Sequence, residues 1–147
     1  MTNTILNKLK FFGAYALLAA SCVPAQSGAK IIANVPFDFM ARNKQFAAGS
    51  YTLTADASMG VVLIRGEEDA LFVLSIPTET RKVVPHAKLV FNRYGERYFL
   101  SEVWPAGRVD GRQLLPSKTE LEVTRNGAKP EIIALVVVPG QPRTPAH

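Results

Sequence analysis

The sequence predicts a mainly β domain, an antiparallel β-sandwich or small barrel of about seven strands, with one short helix at about 117–125 before the last strand. Three observations lead there. Apolar and polar residues alternate with period two from Lys30 onward. Turn signals recur about every 8 to 12 residues, too closely for helices to fit between them. Only Ser117-Lys118-Thr119-Glu120 has the spacing that starts a helix, a serine followed three residues later by a glutamate.

In the first predicted strand Ile31, Ala33, Val35, Phe37 and Phe39 share one face, with Lys30, Asn34 and Asp38 opposite. Pro36 lacks a ladder donor, so this strand is expected at an edge or with a bulge. Arg42 to Gln45 turn the chain, Ala48-Gly49-Ser50 turn it again, and Tyr51 to Ala55 resume an extended run before the loop Asp56 to Gly60. Val61 to Arg65 and Ala70 to Ile76 flank Gly66-Glu67-Glu68-Asp69, a hairpin whose charged tip is costly to bury. Their apolar runs are continuous, which predicts central strands covered on both faces.

Ala87 to Asn92 and Tyr98 to Trp104 form a second hairpin around Arg93 to Arg97. Its register stays open, since a slip of one residue exchanges the two faces. Pro77, Pro85, Pro105, Pro116, Pro130 and Pro139 mark the edges of predicted elements. Ala106 to Arg112, with two glycines, reads as an exposed loop. In the helix the Ser117 side chain accepts from the Glu120 amide and Glu120 reaches back; Leu121, with Leu114 and Leu115 leading in, docks it, and Gly127 ends it. Glu131 to Val138 is a final strand, expected in the interior because its apolar run is too sticky to stay exposed.

A chain of 147 residues suits one domain. That domain is expected over 30–138, followed by a disordered tail at 139–147. Before it, Lys8 and Lys10 supply a positive flank, Phe11 to Ala20 an apolar run, and Val23-Pro24-Ala25 a cleavage context, which reads as a signal peptide over 1–25 with cleavage before Gln26. The alternative is a lipoprotein signal over 1–21, with Leu18-Ala19-Ala20-Ser21 leading to a lipidated Cys22, the only thiol in the chain. An uncleaved anchor fits worst, because spanning needs about 20 apolar residues. Cleavage before Gln26 leaves 15 basic and 12 acidic residues, so the net charge of +5 falls to +3. With export, so mild a basicity argues against a nucleic-acid partner.

One cysteine cannot form an internal disulfide, and two histidines with one cysteine cannot complete a structural zinc site. No P-loop, dinucleotide glycine fingerprint, H-E-x-x-H pair, calcium loop or G-x-S-x-G elbow occurs. His86 is the usable base outside the tail, and a hydrolase would need it beside a serine such as Ser50, Ser75 or Ser101. Glu67, Glu68 and Asp69 form a solvated acidic tip. A basic and aromatic group, Arg93, Tyr94, Arg97 and Tyr98 followed by Trp104, Arg108 and Arg112, has the chemistry to grip carboxylates, phosphates or sulfates. Of these Arg93, Tyr94, Arg97, Arg108 and Arg112 are the candidate anionic-ligand or partner surface. Solvated arginines that protect sheet edges account for the same pattern.

Val35-Pro36-Phe37-Asp38-Phe39 followed by Ala48-Gly49-Ser50-Tyr51-Thr52 resembles a family of short secreted proteins of unknown function common in acidobacterial genomes. The resemblance runs on through Leu63-Ile64-Arg65, Lys88-Leu89-Val90-Phe91, Arg93-Tyr94-Gly95, Tyr98-Phe99-Leu100 and Gly111-Arg112 leading to Ser117, almost the whole mature chain. Where that family tends to have Leu-Pro-Ala-Gly, this chain has Phe46-Ala47-Ala48-Gly49. The resemblance implies export and a β-rich domain, and no particular activity.

The expected function is a non-catalytic extracytoplasmic β-domain, periplasmic, secreted or lipid-anchored, that binds or builds part of the cell envelope. No cofactor and no metal are expected. The expected partners are an envelope polysaccharide or another envelope protein, with membrane contact only through Cys22. The rivals are a small secreted hydrolase using His86 and a binder of anionic envelope polymer.

Overall fold

The structure is a computed structural model that describes residues 28–138. The leader over 1–25, Cys22 and the tail over 139–147 lie outside the described residues. The described residues form β1 (Ala29–Val35), β2 (Phe39–Ala41), β3 (Lys44–Phe46), β4 (Gly49–Asp56), β5 (Val61–Arg65), β6 (Ala70–Val84), β7 (Ala87–Tyr94), β8 (Arg97–Trp104), β9 (Arg108–Leu114), helix α1 (Lys118–Arg125) and β10 (Glu131–Val137). The protein is mainly β, with one short helix among the described residues.

The hydrogen-bonded order is β1-β4-β5-β6-β9-β8-β2-β3, with β7 on the other edge of β8 and β10 beyond β7. Every pairing is antiparallel except a single parallel contact of β2 with β8, Met40 to Phe99. The sheet is open. Strands β1 and β10 approach each other, yet no ladder joins them among the described residues.

Period two decides what is buried. Ile31, Ala33 and Val35 of β1, Tyr51, Leu53 and Ala55 of β4, Val62 and Ile64 of β5 and Val73 of β6 form the inner face. Leu89 and Phe91 of β7, with Leu100 and Val103 of β8, join them. The register of the second hairpin places both pairs inward: Leu89 faces Val103 and Phe91 faces Leu100, because the ladder shifts between Val90 and Phe91. Ser101 is the extra residue of that bulge, which restores the phase on β8. An aromatic cluster fills one part of the core, with Phe39 against Phe46 at 5.2 Å, Tyr51 at 5.2 Å and Phe91 at 5.6 Å between ring centroids.

Several expectations need correction. The residues read as an exposed loop, Ala106 to Arg112, mostly form β9, which pairs with both β6 and β8. Gly111 sits there because a Cβ would meet the Trp104 ring at 2.7 Å, so the glycine records a close approach and not a turn. Strand β6 does not end at Ile76 but runs through Pro77, which faces Arg112. The Ser75 amide donates to Gly60 on the β5 side at 2.9 Å, so by alternation the missing donor of Pro77 falls on that side, where β5 has already ended.

β5 and β6 are covered on one face only. Phe72 is 64% exposed, and Leu74 and Ile76 also face outward, because among the described residues no second layer lies over them. β10, expected in the interior, pairs with β7 alone and exposes Ile132 and Val136. Finally Leu121 does not dock the helix, since it is 41% exposed; the buried side chain of α1 is Glu120. The helix caps form as expected on the N-terminal side, where Ser117 Oγ accepts from the Glu120 amide at 3.0 Å. Glu120 turns its carboxylate to the sheet instead of back along its own chain, accepting from Asn92 Nδ2 at 2.9 Å. Asn126 caps the other end, and Gly127 follows with φ +87°.

Candidate functional site

The structure divides the five residues of the basic-aromatic surface between two regions. Arg93, Tyr94 and Arg97 flank the two-residue turn joining β7 to β8, with Tyr94 paired to Arg97. Arg108 and Arg112 lie on β9, where Arg112 pairs with Val103 near the other end of β8. From Arg97 to Val103 the strand advances roughly 20 Å at about 3.3 Å per residue. One contact patch through all five is therefore corrected to two separate groups.

Most of these side chains are engaged within the fold. The Tyr94 ring is buried, its hydroxyl 3.5 Å from Glu120, and burial with that carboxylate raises its pKa above the usual 10.0. Arg93 Nε donates to the Gly95 carbonyl at 2.7 Å, and Arg93 faces Glu131 at 3.6 Å. The Arg97 guanidinium lies 5.7 Å from the Phe99 ring centroid. Arg108 grips Asp110 with two hydrogen bonds, 2.9 and 2.6 Å, and these raise the arginine's pKa and lower that of the carboxylate.

Arg112 is only 8% exposed, because alternation along β9 turns it inward beside Leu114. Its Nε donates to Ser75 Oγ at 2.9 Å and its Nη2 to the Ser75 carbonyl at 2.7 Å. No carboxylate comes within ion-pair distance of it among the described residues. The space beside it, bounded by Ala29, Ala55, Ala57, Pro105, Arg108, Asp110 and Gly111, measures about 20 Å³. That admits about one water and no sugar or polymer.

The larger recess lies elsewhere, where β6 departs from β9. Glu79 pairs with Asp110 and Val84 with Arg108, so four residues of β6, Thr80 to Val83, stand opposite Val109 alone. Four cannot ladder with one, and the excess chain bows outward. Val84 returns to the sheet and buries against Val90 and Trp104. Between the bowed segment, the Pro85-His86 turn, Lys88 of β7 and Val136 of β10 opens a recess of about 360 Å³. Its walls are Val83, Val84, Pro85 and Val136, and its polar groups are Thr80, Lys82, His86 and Lys88. Lys88 Nζ also sits 5.4 Å from the Trp104 ring centroid.

His86 thus lines a recess, as a catalytic base does, but among the described residues its neighbours there include no serine, cysteine or carboxylate. Ser75 is committed to Arg112 on the inner face. Sequence reasoning did not single out Lys82, Lys88 or Val136. The signal available was the unbroken polar run from Thr78 to Lys82 between Pro77 and Pro85.

Among the described residues no group of three or more histidine, cysteine or acidic side chains is arranged to hold a metal ion, and no helix is long and apolar enough to cross a membrane. Comparison with protein-family models, with curated proteins and with solved structures finds no match to this chain.

Proposed function

We propose that the chain is a non-catalytic extracytoplasmic β-domain that acts as a binding module of the cell envelope, its ligand seated in the recess bounded by β6, β7 and β10. The composition of that recess carries the reading. About 360 Å³ of concave, largely aliphatic surface with a few basic groups is the ordinary form of a small-ligand site. Among the described residues no serine, cysteine or carboxylate stands beside His86 in that lining. The leader segment read from Lys8 to Ala25 supports export, and the resemblance to short secreted proteins agrees with it. An acidic envelope polysaccharide gripped by Arg93, Tyr94, Arg97, Arg108 and Arg112 together is the weaker alternative, because those residues fall in two regions.

The test is complementation of a deletion strain, with retention of the protein in envelope fractions as the second readout. Lys82→Glu combined with Lys88→Glu is expected to lose both, and His86→Ala to weaken them without abolishing either. Loss in His86→Ala together with His86-dependent labelling by serine-directed probes would replace this reading with the hydrolase.

A further inference from the structure

The recess takes a particular chemical class of ligand. We infer that it binds a single-chain anionic amphiphile, a carboxylate or phosphate monoester on an aliphatic tail, with the head held by Lys82 and Lys88. The inference rests on the reading of the recess as a binding site and adds the identity of what fills it.

Charge is the first argument. Among the described residues two ammonium groups line the recess and no acidic residue does. Opposed to an anionic head, each lysine offers charge-assisted hydrogen bonds, stronger than the neutral ones available to a sugar hydroxyl. Thr80 and His86 complete the polar set, and with no Asn, Gln, Asp or Glu in the lining a neutral sugar would find few acceptors for its hydroxyl hydrogens.

The walls are the second argument. Val83, Val84, Pro85 and Val136 are aliphatic, and among the described residues no Phe, Tyr or Trp lines the recess to stack on a sugar or a base. Val83 is 57% and Val136 52% exposed, which is apolar area that a methylene chain would remove from water. Lysine stems add further aliphatic surface below their charged ends. A flexible tail laid along these residues, with one anionic end, matches the composition of the lining.

The third argument is that the recess is built into the backbone. Its outer wall exists because four residues of β6 oppose one of β9, and Val84 then anchors the bowed segment against Val90 and Trp104. A Gly107 amide donating to the Val84 carbonyl at 2.7 Å fixes the same point. The wall is thus held at its ends by ladder pairs.

Trp104 is the only tryptophan in the chain and lies directly below Lys88, so its emission reports on the recess. The experiment titrates the protein with dodecanoate below its micelle concentration, with dodecanol and dodecyltrimethylammonium as tail-matched comparisons, and with calorimetry as an independent readout. Dodecanoate is expected to give a saturable change, weakened about tenfold or more in Lys82→Gln combined with Lys88→Gln. Dodecanol is expected to bind more weakly and the cationic amphiphile weakest. Both lysines reach solvent, and thermal melts of the variant against the parent confirm that it folds.

An equal response to dodecanol, an unchanged affinity in the lysine variant, or a response to anionic vesicles alone overturns the inference. Salt-sensitive retention on an acidic polysaccharide that needs Lys82 and Lys88, without any dodecanoate response, overturns the ligand class while the recess keeps its role. No ligand response together with full envelope retention of the lysine variant overturns both.

Discussion

Asn92 Nδ2 donates to Glu120 Oε1 across 2.9 Å, joining β7 to a helix 28 residues further along the chain. This polar contact, not an apolar stripe, seats α1 on the outer face of the sheet. Glu120 is also the residue whose amide receives the Ser117 cap, so one position both starts the helix and docks it. Glu120→Ala is expected to cost about 1–3 kcal/mol by leaving the Asn92 amide without its partner. Ser117→Ala, which removes only the cap, is expected to cost about 1 kcal/mol. Urea denaturation of both variants checks the order; a neutral Glu120→Ala would mean that the Asn92 contact does not dock the helix.

Gly111 allows the Trp104 ring to lie flat on β9. A Cβ there would stand 2.7 Å from two ring atoms and 2.9 Å from the Val103 carbonyl. Gly111→Ala is expected to destabilise by about 1–3 kcal/mol through overpacking and to change the Trp104 emission. A variant as stable as the parent, with unaltered emission, would show that the ring does not rest there.

Ser75→Ala removes the hydroxyl that accepts from the buried guanidinium of Arg112. A hydrogen bond to a charged group is worth about 1.5–3 kcal/mol, and the loss is expected in that range. The measurement is chemical denaturation alongside Ser101→Ala, a strand serine without such a partner among the described residues. The second variant is expected to be nearly neutral.

Stability should fall at alkaline pH. Burial first, and then the Glu120 carboxylate, raise the Tyr94 pKa above 10.0, and burial does the same for Tyr51. A group held protonated by the fold contributes its full stability below the unfolded pKa near 10 and loses it as pH rises toward the folded value. Melting temperature is therefore expected to fall above about pH 10 as far as these two phenols govern it. Tyr94→Phe is expected to flatten part of that decline; an unchanged profile would mean that Tyr94 titrates alike in both states.

Intact mass and N-terminal sequencing of protein from native cells address the leader. Recovery from a soluble extracytoplasmic fraction with Gln26 first is the expected result. Lipid-modified Cys22 in the membrane fraction would make the module tethered, and an intact Met1 in the cytoplasm would remove the envelope from the proposal.

Much of the fold was legible because alternation is a local signal. Ile31, Ala33 and Val35, Tyr51 to Ala55 and the hairpin tip at Gly66 to Asp69 stand where period two and turn residues put them. The misreadings share a cause in long-range structure. Gly111 looked like a turn because its reason for lacking a side chain, the Trp104 ring, arrives from another strand. The run at Glu131 to Val138 looked interior because an edge strand under a curling sheet needs only one covered face. Arg93 to Arg112 were legible as a composition, but their separation depends on which end of β8 each reaches. The recess left almost no trace, since Lys82, Lys88 and Val136 meet only through a mismatch in strand pairing.

Strand β6 belongs to two neighbours in succession, first β5 and then β9. The first partnership closes across the four-residue loop from Gly66 to Asp69, while the second joins segments some 37 residues apart, the separation of Ser75 and Arg112. Short closures form sooner than long ones, so the two halves of this strand are completed at different times. Lys82 and Val83 belong to the later half, and Val136 arrives last in the chain. A polypeptide still folding therefore carries the charges of the recess before it has the recess, and the completed recess marks the end of folding.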